Sequence, residues 1–279
     1  MEKKSLNHIH QRIENNKISD NSSLVIITSL PGSDMGKGTV AAHLLNALED
    51  SNVIKFDGLL NTNCSGRHTA RGNDDFGVYE EYNPGRRFGR ENYILGGELI
   101  KSFIDLYGEG ENASFRSYMV NHFLATMGEM FNGLDRPRNL IFEVGGTILD
   151  FEVDPFIVPA MKHYKDTLRE RCNILLLTKS SFNGYHIKTR DIQSYLTEFG
   201  KRLIMPDILL VRDPAEMPLL DDAKRQENEL IISNKLEERL GLHFDSNRII
   251  TIPFYEKDRI HELGGYLCER LVPLLHKDG

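Results

Sequence analysis

Apolar residues in this chain gather in short continuous runs: "SLVIIT" (23–28), "NVIKF" (52–56), "NLIFEV" (139–144), "NILLLT" (173–178), "DILLV" (207–211) and "RIITI" (248–252). Runs of this length predict strands buried on both faces. Most are separated by longer stretches with helical spacing, such as "GTVAAHLLNALED" (38–50) and "RDIQSYLTEFGKRL" (190–203). The alternation predicts an α/β domain with a parallel sheet. Residues 23–279 are expected to form a single domain, and the polar segment 1–22 an exposed helix or tail. In such sheets ligands gather at the carboxyl ends of the strands, so the residues that close each run matter most.

The first run is followed by "TSLPGSDMGKGTVAAHLL" (28–45). A loop that leaves a strand and enters a helix presents free backbone amides, glycines admit a polyphosphate closely, and a lysine adds a cation. The loop Ser33-Asp34-Met35-Gly36-Lys37-Gly38-Thr39 has all three features. It departs from the usual P-loop spacing: Pro31 stands at the first glycine position, and Gly38 follows the lysine where Ser or Thr is usual. Thr39 is one residue late but in reach of magnesium or phosphate.

Glu143 closes the third run and precedes Gly145-Gly146-Thr147. Magnesium on a nucleotide takes hard oxygen ligands, typically one or two carboxylates completed by water and phosphate. That makes Glu143 a candidate ligand. The acidic pair Asp74-Asp75 reads by composition as solvated loop. "YHIKTRDIQSY" (185–195) sets Lys188 and Arg190 beside Gln193 at a helix start, which suits either a second anionic ligand or a solvated first turn. "PGRRFGR" (84–90) reads as a mobile loop or, more sharply, as a lid or phosphate contact.

Composition narrows the partners. The 279 residues carry 41 Asp+Glu against 34 Lys+Arg, a formal charge of -7, which disfavours general nucleic-acid binding but not a locally basic cleft. Cys64, Cys172 and Cys268 are far apart, with no CxxC, so neither a zinc site nor a disulfide framework is indicated. No apolar stretch approaches a membrane span, and the first residues lack the apolar region of a signal peptide. A reduced cytoplasmic protein is expected.

Taken in order, these segments resemble the N-terminal synthetase domain of CTP synthase, a P-loop amidoligase in the wider group that includes dethiobiotin synthetase. "TSLPGSDMGKG" matches the family's T-G-G-V-V-S-S-L-G-K-G at equal length, and Lys55-Phe56-Asp57-Gly58-Leu59 is similar to K-L-D-P-Y. "DFGVYEEY" resembles D-L-G-H-Y-E-R-F and sets Asp75 on the family's magnesium aspartate. "FEVGGTILDFEV" resembles V-E-V-G-G-T-V-G-D-I-E-S and sets Glu143 on the second magnesium ligand, with Asp150 and Glu152 on the acidic pair after it. Lys188-Thr189-Arg190-Asp191-Ile192-Gln193 is similar to the K-T-K-P-T-Q that grips a pyrimidine nucleotide. "MPDILLVR" resembles Q-P-D-I-L-I-C-R and puts Arg212 near the adenine side of ATP.

Departures accompany the likeness. The segment between Asp57 and Asp75 is short, Tyr118-Met119-Val120-Asn121-His122 keeps the histidine of Q-V-I-P-H without its glutamine, and Asp191 replaces a proline. No cysteine has the surroundings of a glutaminase nucleophile. The resemblance implies a P-loop fold of the dethiobiotin synthetase type, with a mostly parallel central sheet flanked by helices. It implies ATP and Mg2+ as cofactors, Lys37 and Lys55 as catalytic cations, and a nucleotide substrate held by His122, Asp150, Glu152, Lys188, Thr189, Arg190 and Gln193. It also implies ammonia or an amine from a separate source, and a dimer or tetramer of identical chains. The expected reaction is phosphorylation of a uracil-like carbonyl and its displacement by ammonia; a small-molecule kinase or a carboxylate-activating ligase on the same fold is the alternative.

Overall fold

The computed structural model describes residues 6–19, 21–30, 36–57, 74–108, 114–145, 154–179, 181–183, 186–213, 221–253 and 261–275. The described elements are, in chain order, α1 (Leu6–Asn15), β1 (Ser23–Ser29), α2 (Lys37–Ala47), β2 (Ser51–Asp57), α3 (Asp74–Tyr82), β3 (Tyr93–Leu95), α4 (Gly96–Gly108), α5 (Phe115–Gly133), β4 (Asn139–Val144) and α6 (Asp154–Leu168). They continue with β5 (Cys172–Lys179), β6 (Ser181–Asn183), β7 (His186–Lys188), α7 (Arg190–Lys201), β8 (Ile208–Arg212), α8 (Asp222–Leu240), β9 (Ile249–Ile252), α9 (His261–Arg270) and α10 (Val272–Leu275).

Seven strands form one parallel sheet in the order β3-β2-β4-β1-β5-β8-β9, and β6 and β7 form a separate antiparallel ribbon. This is the expected α/β fold of the P-loop type. The six apolar runs are six of the seven strands; β3, only three residues long, was not among them.

Strand side chains alternate between the two faces, and each face has its own core. Leu24, Ile26, Ile54, Phe56, Leu140 and Phe142 point into the larger cluster, with Phe123, Phe131, Phe156 and Met161 from α5 and α6. Val25, Ile27, Val53, Ile141 and Leu175 point into the other, with α2, α3 and α9. Both faces are covered, so the strands carry apolar residues at every position rather than at every second one.

The segment before β1 does not lie exposed as the sequence suggested. Ile9 is 2% exposed and joins the larger core with Ile18. Helix α1 lies so close to α5 that a Cβ on Gly128 would sit 1.7 Å from the Asn16 carbonyl oxygen. Arg12 of α1 adds a two-pronged pair with Glu129, both prongs at 2.6 Å. Ile9 and Ile13, four residues apart on one helical face, supply the docking stripe.

Candidate functional site

Period two in the strands decides which polar side chains meet. Ile27 and Ser29 of β1, Lys55 and Asp57 of β2, and Glu143 of β4 all fall on the face covered by α2 and α3. In the sheet, Glu143 is the register partner of Ile27 on one side and of Lys55 on the other. Each strand is apolar until its last turn and polar at its carboxyl end, so the charges form one shelf along one edge.

Helix α2 begins on that shelf. Gly36, just before it, has φ 87°, a left-handed conformation that a side chain would strain. Lys37 opens the helix, although a cation is electrostatically disfavoured at a helix N-terminus. Its ammonium is held instead over the strand end, where it donates to Ser29 Oγ at 2.9 Å. A Cβ on Gly38 would lie 3.7 Å from Glu143 Oε2, so the Glu143 carboxylate sits under the first turn of α2. The positive end of that helix favours a carboxylate there.

Glu143 is 3% exposed and has two partners. Tyr79 of α3, wholly buried, donates its hydroxyl proton to Oε2. The Lys55 ammonium faces Oε1 at 3.5 Å, an ion pair longer than a direct hydrogen bond. Beside them Tyr93 donates to Asp57 Oδ2 at 2.9 Å. Sequence reasoning singled out neither tyrosine. For Tyr79 a signal existed: it follows Asp75 by four residues in one helix, the spacing that shares a helical face.

Lys37, Gly38, Lys55 and Glu143 are thus brought together, and Arg212 joins the neighbourhood: its guanidinium would lie 3.7 Å from a Cβ on Gly36. Thr39 is in the first turn of α2, and Asp75 is the second residue of α3. Ser33, Asp34, Met35, Asp150 and Glu152 lie outside the described residues, as do the side chains of Asp75 and Lys188. Thr189 and Arg190 stand at the start of α7, where Gln193 donates to the Thr189 hydroxyl at 2.8 Å and Arg190 is exposed. His122 is elsewhere, in α5, with Nδ1 3.4 Å from Arg12 of α1.

Gly145 admits the backbone of β2 closely: its N–H donates to the Phe56 carbonyl at 2.6 Å, and a Cβ would come within 2.2 Å of that oxygen. In the basic loop 84–90, Arg86 is turned away from the shelf. Arg86 donates to the Leu45 carbonyl at 3.2 Å and to the Ser51 carbonyl at the start of β2, the opposite edge of the sheet from the shelf.

A second buried charge group ties β8 and β9 to α8 and α9. Asp213 pairs with Arg225 at 3.4 Å, and Glu229 accepts from the Thr251 N–H at 2.8 Å, the Thr251 hydroxyl at 3.1 Å and Arg270 at 2.8 Å. Burial pushes the Asp213 carboxyl up to about 6, against the opposing pull of Arg225.

The shelf fits a divalent cation carried by a phosphate. It offers a hard carboxylate oxygen beside a helix N-terminus and a lysine, and the described residues contain no cluster of three or more ligands that would form a protein cage. It lies at the carboxyl edge of the sheet in an α/β protein of the P-loop type. The profile of the family described as CTP synthase N-terminus matches residues 23–263, and the chain belongs to that family. Among curated relatives, CTP synthase of Thermosipho africanus is 24% identical over 86% of this chain and 47% of its own length. CTP synthase of Methanocaldococcus jannaschii is 26% identical over 86% of the chain and 45% of its own length. CTP synthase of a Synechococcus strain is 27% identical over 72% and 40%. The chain spans about half the length of the curated relatives it matches. No helix among the described residues is long and apolar enough to cross a membrane.

Proposed function

We propose that this chain is an ATP-dependent amidoligase of the CTP synthase kind, which activates the carbonyl of a uracil-type nucleotide for amination. The observation that supports it best is the meeting of Lys37, Lys55 and Glu143 on one strand-end shelf under the α2 N-terminus. A ring carbonyl oxygen is a poor leaving group. Transfer of the ATP γ-phosphoryl to that oxygen makes it a phosphate ester; the ammonia lone pair then attacks the ring carbon, and inorganic phosphate departs with the former carbonyl oxygen. The products are the amino-pyrimidine, ADP and phosphate.

Phosphoryl transfer asks the protein for alignment and charge neutralisation rather than covalent help. Lys37 and the amides of the α2 N-terminus hold the phosphates of ATP, with Thr39 beside them. Lys55 steadies the transferring group. Asp75 and Glu143 hold Mg2+, which neutralises charge on the phosphate oxygens. Arg212 lies toward the nucleoside, while Lys188 at the end of β7, Thr189, Arg190 and Gln193 at the start of α7, and His122, Asp150 and Glu152 serve the acceptor. Ammonia is taken free or from a separate glutaminase.

The test is ADP release from Mg-ATP with UTP, dUTP, UMP and uridine in turn, with and without ammonium, while absorbance follows conversion of uracil to cytosine. Ammonium-dependent cytosine formation is expected. A stable phosphoester without a new carbon–nitrogen bond would make the chain a kinase instead.

A further inference from the structure

We propose that Lys55 and a divalent cation compete for Glu143, and that Tyr79 holds the carboxylate in place for both. The inference rests on reading the shelf as a cation–nucleotide site and adds a coupling between its parts. Among the described residues, Glu143 is hydrogen-bonded at Oε2 and ion-paired at Oε1. Tyr79 bonds Oε2 from a ring that is 0% exposed and packed against Phe76 and Phe88, with centroids 5.9 and 5.5 Å away. That bond fixes where the carboxylate points. The Lys55 ammonium, 3.5 Å from Oε1, neutralises the charge without closing a direct hydrogen bond.

Magnesium requires carboxylate oxygens at roughly 2.0–2.1 Å and tolerates little distortion. A dication that close to Oε1 repels an ammonium already beside the same oxygen, so Lys55 has to leave as the cation arrives. Its exit is short. Lys55 is two residues from the end of β2, on the face under α2, and a four-carbon stem carries its charge to the strand ends where phosphates are read. In the resting state, then, the lysine serves as counter-ion to Glu143; arrival of the metal-bound nucleotide transfers that duty to the metal and hands the lysine to the phosphoryl group. Tyr79 is a positioning residue: it acts through Glu143, and α3, which carries it, begins with the Asp74-Asp75 pair.

Competition has a sign that a purely structural salt bridge lacks. Mn2+ binding to the whole chain, followed by the electron paramagnetic resonance of the free ion with and without a non-hydrolysable ATP analogue, reads it directly. Lys55→Met is expected to bind Mn2+ about tenfold more tightly while losing ATP turnover, and Lys55→Gln, which keeps a hydrogen-bonding group in the pocket, should shift the same way. Tyr79→Phe is expected to bind about tenfold more weakly, as befits loss of a hydrogen bond to a charged group, with its circular dichroism spectrum unchanged. Unchanged or weaker Mn2+ binding in both Lys55 variants overturns the competition. Unchanged Mn2+ binding in Tyr79→Phe overturns the positioning role. Wild-type Mn2+ binding by Glu143→Gln overturns the site reading itself, and the inference with it.

Discussion

Glu143 and Glu229 are equally buried, each 3% exposed, yet they are held in different ways. Glu229 is held by two donors that cannot reverse, the Thr251 backbone N–H and the Arg270 guanidinium, and also accepts from the Thr251 hydroxyl. Glu143 has a tyrosine hydroxyl, which can donate or accept, at Oε2 and the Lys55 ammonium at ion-pair distance from Oε1. The first arrangement satisfies a carboxylate permanently and fastens α8 and α9 to the edge of the sheet. The second keeps a carboxylate in position with one oxygen able to change partners. Burial alone does not distinguish the two acids; the kind of partner each oxygen has does.

Breaking the structural group gives the largest expected effect. Arg225→Met leaves Asp213 without its cation and should cost about 3–5 kcal/mol in chemical denaturation, while Mn2+ binding stays within about twofold of wild type. A comparable effect on binding would mean that the two regions are not separable.

Asp213 sharpens the contrast through pH. Its carboxyl is raised to about 6 from 3.8, so between those values the folded chain holds a proton that the unfolded chain has released. This group therefore adds stability as pH falls from 7 toward 4 and withdraws it as pH rises through 6. Relative to Asp213→Asn, the wild type should gain up to about 3 kcal/mol across that window. A constant difference between the two proteins from pH 7 to pH 4 would refute the assignment.

The two glutamates can then be compared by the same substitution. Glu143→Gln places an amide against a tyrosine hydroxyl that can turn to accept, so a stability change of about 1 kcal/mol is expected, with ATP turnover falling about 100-fold or more. Glu229→Gln sets an NH2 against either the Thr251 N–H or the Arg270 guanidinium, neither of which can accept, and should cost about 2 kcal/mol, with little change in turnover below the melting temperature. Reversal of these two patterns would exchange the roles assigned to the regions.

Much of this organisation was legible along the chain. Uninterrupted apolar runs marked the strands because both faces of the sheet are covered, and the glycine-lysine pattern at 36–39 marked the start of α2, where Gly36 takes a left-handed conformation. Glu143 stood out as a charge ending an apolar run. Local pattern also explains what was missed. Strand β3 is too short to show a period, and "PGRRFGR" reads the same whether Arg86 faces a ligand or binds the Leu45 and Ser51 carbonyls.

The sequence by itself determined the strands, their covering helices and the edge at which charge collects, since each depends on neighbours a few residues away. Only the tertiary structure decided which charges meet. Lys55 reaches Glu143 because β2 and β4 are sheet neighbours although 88 residues separate the two side chains, and Tyr79 reaches the same carboxylate across 64. His122 was drawn instead to Arg12, 110 residues away, because docking of α1 on α5 is set by packing of apolar stripes and not by the local sequence around either residue. Hydrogen bonds and ion pairs act over a few ångströms of space, and sequence order does not encode that distance.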